Sequence, residues 1–261
     1  FAAMSEASGP PRLAVTIVAR DEEDRLPATL ASAAFADEIV VVVDAATTDR
    51  TAEVARAGGA KVIVRTFDGF GPQKNAAADA TTAPWILSVD ADEVVLPELA
   101  AEITAALATA TAGPERSPVA YRVPIHLEFL GRVLRFGRDT VVTPVRLYRR
   151  DAARWSDAKV HERVVARGPV AALRGRMLHR SYRDLTHYLE KLDLYTTLGA
   201  EAKAAARRSP PHFLFLRVVW EFLDRSILHL GVFDGTEGLT YAALSSGNTL
   251  FKYLKLRSLA R

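Results

Sequence analysis

Three carboxylates within four residues, Asp90, Asp92 and Glu93, close an apolar stretch that begins at Trp85. Trp-Ile-Leu-Ser-Val reads as a parallel strand covered on both faces, and such a strand cannot enclose those charges unpaired. They belong at its carboxyl end, where open α/β sheets hold their ligands. Asp90 and Asp92 are two residues apart, so an extended backbone sends both side chains to the same side of the sheet. That spacing suits one hard divalent cation, Mg²⁺ or Mn²⁺, which commonly shares one or two carboxylates with water and substrate phosphates. A solvated turn leading into a helix at Pro97 would account for the same residues.

The elements that must position this cluster alternate along the chain. Leu13 to Ala19 is an apolar, β-rich run ending in Arg20-Asp21-Glu22-Glu23-Asp24, and Leu26 to Ala34 has helical spacing. Ile39 to Val43 is a second buried strand ending in Asp44. A helix from Arg50 to Ala57 follows, stopped by Gly58-Gly59. Lys61 to Val64 is a third strand. Gln73 to Ala80 is a helix after the loop Gly69-Phe70-Gly71-Pro72, and Trp85 to Val89 is the fourth strand. This alternation predicts an α/β fold, a mostly parallel, doubly wound, Rossmann-like sheet with right-handed crossovers. The acidic ends of strands one, two and four then share one rim.

Composition narrows the function. The chain has 261 residues and no cysteine, which excludes disulfides, thiolate catalysis and cysteine-ligated metals. Residues 1 to 12 read as a disordered tail without a secretory core, and no stretch is long and apolar enough for a spanning helix. The net charge of +3 hides an asymmetry: residues 1–130 hold 10 cationic and 19 acidic side chains, residues 131–261 hold 24 and 12. The basic half is either a solvated face or a surface that meets something anionic, such as phospholipid or a phosphorylated substrate. Nucleic acid is not expected, since no zinc-finger spacing, RNP-like motif or basic recognition helix is present. Neither G-x-G-x-x-G nor G-x-x-x-x-G-K-[ST] occurs, so dinucleotide and P-loop classes drop out. An acidic rim without glycine loops suits a site where a metal neutralises a diphosphate.

Four of these segments carry a resemblance. Val-Thr-Ile-Val-Ala-Arg-Asp-Glu-Glu from Val15, the run Glu38 to Thr51, Gly-Phe-Gly-Pro-Gln-Lys-Asn from Gly69 and Val-Asp-Ala-Asp-Glu from Val89 resemble, in order and spacing, the motifs of family 2 glycosyltransferases. Arg-Leu-Tyr-Arg-Arg at 146, Val-His-Glu-Arg-Val at 160 and Leu-His-Arg-Ser-Tyr-Arg-Asp-Leu at 178 resemble the subgroup that includes bacterial lipopolysaccharide-core β-glucosyltransferases. The likeness spans residues 13 to 258. The family usually has Asn where Asp21 stands, and Gly or Ser where Ala45 and Ala46 stand.

The resemblance implies a GT-A fold, a UDP-sugar donor, Mg²⁺ or Mn²⁺, and an inverting transfer of a hexose, glucose being the expected one. It places Ala19, Asp21, Glu22, Asp44, Lys74 and Asp90 on the nucleotide sugar, and Asp92 on the metal with Asp90 at the ribose or a metal-bound water. An exposed helical lysine at Lys74 and a simple helix cap at Asp49 are the alternatives. Inversion needs a base for the acceptor hydroxyl. Glu162 occupies that place, with His161, Arg163 and Lys159 around it, and Asp139 is the second candidate; a surface ion pair of Glu162 with Arg163 or Arg146 would be the plainer role. His179 is either structural, a third metal ligand or a hydrogen-bond donor to the diphosphate.

Residues 13–118 are thus expected to form the nucleotide-sugar half, 119–183 an acceptor-side β-rich half with a hairpin at Phe129-Leu130-Gly131-Arg132, and 184–261 a helical extension. Its helices read as Leu185–Ala206, Phe213–Leu230 and Leu239–Leu259. In the middle one Leu216, Val219, Trp220, Leu223, Ile227 and Leu230 form an apolar stripe opposite Arg217, Glu221, Asp224 and Arg225. Phe251 and Tyr253 stand beside Lys252, Lys255, Arg257 and Arg261 in the last. Aromatics beside cations suit an interfacial helix on an anionic membrane, with a lipid-linked or lipopolysaccharide-core acceptor at the inner, cytoplasmic face. Packing on the catalytic domain, or on a second subunit in a homo-oligomer, is the alternative. A sugar nucleotidyltransferase and a noncatalytic membrane-associated binding protein of this fold are the rival functions. The first would carry a basic glycine-rich loop where Arg20 to Asp24 stands.

Overall fold

The computed structural model describes residues 12–110, 117–158, 162–207 and 209–259. The predicted tail (residues 1–11 of it), Lys159, His161 and Arg261 lie outside them. The chain falls into two compact units, Phe1–Ile125 with Thr143–His179, and His126–Val142 with Arg180–Arg261.

The first unit opens with the predicted alternation: β1 (Leu13–Ala19), α1 (Leu26–Ser32), β2 (Glu38–Asp44), α2 (Thr51–Ala57), β3 (Lys61–Arg65), α3 (Phe70–Asp79) and β4 (Trp85–Asp90). A short β5 (Glu93–Val95) and α4 (Pro97–Ala110) follow, then β6 (Ala120–Arg122). β7 (Ile125–Phe129), β8 (Arg132–Val133) and β9 (Val141–Val142) lead away, all but Ile125 lying in the second unit. The chain returns as β10 (Val145–Arg149), β11 (Ala153–Trp155), β12 (Val164–Ala166), β13 (Val170–Ala172) and β14 (Met177–His179). The expected boundary at residue 118 therefore falls inside this unit, because β6, β10 and β13 complete the same sheet.

That sheet has the order β13-β6-β10-β4-β1-β2-β3. β3, β2, β1 and β4 are mutually parallel, and β10 runs antiparallel between β4 and β6. Its strands are continuous apolar runs because helices cover both faces. Val15, Ile17, Val41 and Val43 pack with Leu26, Leu30 and Ala55 from α1 and α2, whereas Val40 and Val42 pack with Ala77 of α3 on the other face. Helix α3 begins at Phe70, three residues earlier than the sequence suggests. Pro72 is tolerated there because the first helical turn has no intrahelical use for its missing N–H.

In the second unit Leu130 and Gly131 both take positive φ between β7 and β8, the backbone that a two-residue hairpin turn requires, at the hairpin read from sequence. Leu127, Phe129 and Leu134 pack with Tyr188 and Leu192 of α5 (Leu185–Ala205), and Phe129 meets Tyr182, Tyr188 and Tyr241 edge-on. The expected Phe213–Leu230 helix is shorter. α6 (Leu214–Leu223) passes into a π turn over Asp224–Leu228, and Leu230 adopts the left-handed conformation before a 3-10 turn at Gly231–Asp234. α7 (Gly235–Leu259) starts four residues before the expected Leu239, because buried Asp234 accepts the Arg135 and Phe136 amides and fixes the chain there.

Candidate active site

The acidic rim is at the carboxyl ends of β1, β2 and β4, and most of its carboxylates have specific partners. Asp44 ends β2 almost fully buried; one oxygen accepts the Ala46 amide and the other faces Arg20 Nη1 at 3.4 Å. Asp21, just past Ala19, has φ +54°, a conformation that Asp and Asn tolerate better than other non-glycine residues. It accepts the Thr48 amide at 2.7 Å, and that bond lowers its pKa, so the β1 and β2 loops are tied together. Glu22 is paired with Arg25 at 2.5 Å. Asp49 accepts the Thr51 amide at 2.9 Å from one residue ahead of the cap position, which Arg50 occupies without a side-chain cap bond, so Asp49 closes the turn before α2 rather than capping it.

The three carboxylates after β4 part company. Asp90 ends the strand, Ala91 and Asp92 form a turn, and Glu93 starts β5, so the extended geometry expected of Asp90 and Asp92 is not adopted. Asp90 accepts from Lys74 Nζ at 3.0 Å and from Arg146 Nη2 at 2.7 Å. Burial alone would raise its pKa, but Arg146 and Lys74 hold it well below the usual carboxylate range. Glu93 was read as facing a ligand and is instead 1% exposed, bound to Arg146 at 2.7 Å and to the Asp90 amide at 2.8 Å. Its burial raises its pKa, and the Arg146 charge opposes that rise. The physical reason is that β5 pairs with β14 and turns residue 93 inward.

Asp92 faces His179 Nε2 at 3.3 Å and Arg25 Nη1 at 3.4 Å. Burial would raise the Asp92 pKa and depress that of His179, but their hydrogen bond and mutual attraction win, lowering the first and raising the second. Among the described residues no group of three His, Asp or Glu side chains forms a metal-ligating cluster, so Asp90, Asp92 and His179 are not gathered as one ligand set. The Asp92–His179 pair alone fits a divalent cation, one oxygen and one nitrogen leaving the other positions to water and phosphate oxygens.

Each residue of the Gln73-Lys74-Asn75 motif has a separate task. Gln73 donates to the Thr66 carbonyl at 3.2 Å, tying α3 to the chain beyond β3. Lys74 is 5% exposed, which rules out an exposed helical lysine. Its ammonium reaches Asp90 at 3.0 Å and Glu162 at 3.5 Å and lies 4.3 Å above the Trp155 ring. Asn75 clamps Trp155 reciprocally, donating to its carbonyl and accepting its amide, both at 3.0 Å. Gly71 lets the Ser156 backbone come close: a Cβ there would stand 2.0 Å from the Ser156 carbonyl oxygen.

These contacts place Glu162 on the wall of a cavity of about 340 Å³, with Lys74, Asp90, Trp155, Arg146 and Arg163. The sequence brought Glu162, Lys74 and Asp90 into one proposal, and they do meet. Glu162 pairs with Lys74 rather than with Arg163 or Arg146. Asp139 lies in the second unit with φ +65°, mostly exposed and 3.4 Å from Arg225. Asn75, Trp155 and Arg25 escaped the sequence reading, as did the structural role of Arg146. A lone arginine inside the apolar run Val145 to Tyr148 was a usable signal, because a charge on a buried strand needs partners.

Residues 14–114 match the profile described as Glycosyl transferase family 2. An uncharacterized glycosyltransferase of Rickettsia typhi is 24% identical over 95% of this chain and 88% of its own length. One of Mycobacterium tuberculosis is 38% identical over 46% of this chain and 55% of its own. Among solved structures, Staphylococcus aureus TarS with UDP-GlcNAc aligns with 93% of this chain and 81% of its own at 13% identity and a TM-score of 0.42. Glucosyl-3-phosphoglycerate synthase of M. tuberculosis, in complex with Mn²⁺, UDP and glucosyl-3-phosphoglycerate, covers 79% and 83% at 14% and 0.41. The matched segment runs from β1 through α4 and contains the whole acidic rim; residues 14–114 form a Glycosyl transferase family 2 domain, and the chain is a glycosyltransferase.

Proposed function

We propose that the chain transfers a hexose, glucose in the first instance, from a UDP-sugar to a lipid-linked glycan of the lipopolysaccharide-core kind, with inversion. The observation that carries this reading is Lys74, buried between Asp90 at the donor rim and Glu162 in the adjoining cavity. Glu162 takes the acceptor proton as the hydroxyl oxygen bonds to the anomeric carbon and the bond to the diphosphate breaks, and Lys74 holds its carboxylate in place. Asp44 and Asp21 shape the nucleoside end of the rim. Asp92 and His179 would hold Mg²⁺ or Mn²⁺, whose charge stabilises the departing diphosphate.

The lipid-linked acceptor is supported by α6. Its polar side is engaged: Glu221 accepts from Thr249 at 2.6 Å, and in the π turn that follows Asp224 accepts from Arg138 at 3.2 Å. Its apolar side faces out, with Phe215 74% and Trp220 59% exposed beside Phe213 and Leu216. An amphipathic helix turned this way suits the interface of a membrane at the cytoplasmic side. No helix among the described residues is long and apolar enough to cross one.

The test is a thermal-shift titration with UDP, GDP, CDP, dTDP and ADP, with and without Mn²⁺, followed by transfer assays on Glu162→Gln. A rise specific to UDP and enhanced by Mn²⁺ is expected, as is a loss of transfer of roughly 10²-fold or more in the variant with donor affinity kept. Equal response to all nucleotides, or undiminished transfer, would overturn the reading.

A further inference from the structure

The cavity beside Glu162 carries more positive charge than its own ion pairs use. Lys74, Arg122, Arg146 and Arg163 line it together with the carboxylates Asp90 and Glu162. Lys74 is committed to both carboxylates, and Arg146 to Asp90 and Glu93. Arg122 and Arg163 are exposed, and neither guanidinium has a hydrogen bond or ion pair among the described residues. Two unengaged guanidiniums on one concave wall concentrate positive potential, and their planar donor forks match the paired oxygens of a phosphate or carboxylate.

Sheet order separates Arg122 from the β1 and β2 end of the rim. The nucleoside end of the rim follows β1 and β2, whereas Arg122 ends β6, with β10 and β4 between β6 and β1. Three strand spacings put Arg122 roughly 14 Å from β1 across the sheet. Arg163, for its part, is the residue after the base. Both cations line the cavity beside Glu162, and Arg122 stands well away from the β1 end of the rim.

We infer that Arg122 and Arg163 bind an oxyanion, phosphate or carboxylate, carried by the acceptor close to the hydroxyl that receives the sugar. The inference rests on the transferase reading above and narrows it: the acceptor is an anionic glycan, recognised at the point of reaction. Trp155 and Val164 supply apolar wall for the sugar ring that bears the charge.

The test uses the full chain and simple probes: inorganic phosphate, glycerol 3-phosphate, gluconate and, as neutral control, glycerol. Each is titrated calorimetrically with and without saturating UDP, into wild type, Arg122→Gln, Arg163→Gln and the double variant. Both side chains are exposed and without a side-chain partner among the described residues, so folding is expected to survive; melting curves check it. Binding of glycerol 3-phosphate or gluconate, but not glycerol, should be kept when UDP is present and fall at least tenfold in the double variant, with UDP affinity unchanged. Phosphate and gluconate separate the two anion types. Competition between UDP and the anions would assign the arginines to the donor diphosphate and overturn the inference. So would anion binding that the double variant leaves intact, or none in wild type. Failure of UDP itself to bind, with arginine-dependent anion binding present, would instead remove the donor reading and leave the anion site standing.

Discussion

Replacing Asn75 by Ala should release the backbone at Trp155 and Ser156 while leaving the donor rim in place. The side chain makes two hydrogen bonds of 3.0 Å, to the amide and the carbonyl of one residue, Trp155, which is itself buried. Truncation loses both and strands two backbone groups, at about 1 to 2 kcal/mol each, or about 2 to 4 kcal/mol together. At about 1.4 kcal/mol per tenfold, local opening becomes roughly 30 to 700 times more frequent. Amide exchange read by mass spectrometry at Trp155 and Ser156 measures this directly, because the Trp155 amide is the one that Asn75 holds. Asn75→Asp is the sharper control. It keeps an acceptor for the amide but turns an oxygen toward the carbonyl, so it should protect no better than Ala. Transfer should slow in both variants with UDP affinity kept, since the side-chain bonds of Asn75 among the described residues go to Trp155 and not to the rim. Unchanged exchange at Trp155 in Asn75→Ala would refute the clamp.

Gly71→Ala should be harsher than an ordinary glycine change, since its Cβ would meet the Ser156 carbonyl at 2.0 Å and one backbone must move; a stability loss of about 1 to 3 kcal/mol in a urea melt is expected. Arg146→Met should cost about 3 to 5 kcal/mol, because it leaves Glu93 buried beside Asp90 without its cation. Adding Glu93→Leu should restore much of that loss, and a double variant no more stable than the single one would refute the pairing. Phe215→Ser with Trp220→Ser should leave the melting temperature within a few degrees, as both side chains are exposed, yet reduce co-sedimentation with anionic phosphatidylglycerol vesicles several-fold.

The parallel core was legible because each strand is a short apolar run cut off by charge, and each crossover is punctuated by glycine or a capping residue. Leu13 to Ala19 stands as expected, the Ile39–Val43 strand extends by one residue at each end to Glu38–Asp44, and the Leu130-Gly131 turn stands where its residues placed it. What failed was local geometry that depends on distant partners. Period-2 reasoning put Asp90 and Asp92 on one face, but the turn at Ala91 and Asp92 is imposed by β5 pairing with β14, some 80 residues on. The end of α6 was read from periodicity, which a π turn and a left-handed Leu230 do not signal. Asn75 could not be singled out because its partner is a backbone, and a backbone has no residue type to recognise.

The rim's own pairing decides among its carboxylates. Arg146 is nearly fully buried, and it binds Asp90 and Glu93 with the same nitrogen at 2.7 Å. Those two acids are thus held by a charge that cannot leave without exposing a buried deficit, so they act as scaffold for β4, β5 and β10. Asp92 differs: its partners stand farther off, at 3.3 and 3.4 Å, and His179 is partly exposed. Asp92 and His179 are the residues that would hold a divalent cation, whereas at Asp90 a cation would have to compete with Lys74 and Arg146 together. The resemblance already set Asp92 on the metal and Asp90 at the ribose or a metal-bound water; burial and pairing separate the two in the same sense, leaving Asp92, with His179 from β14, as the more loosely held pair.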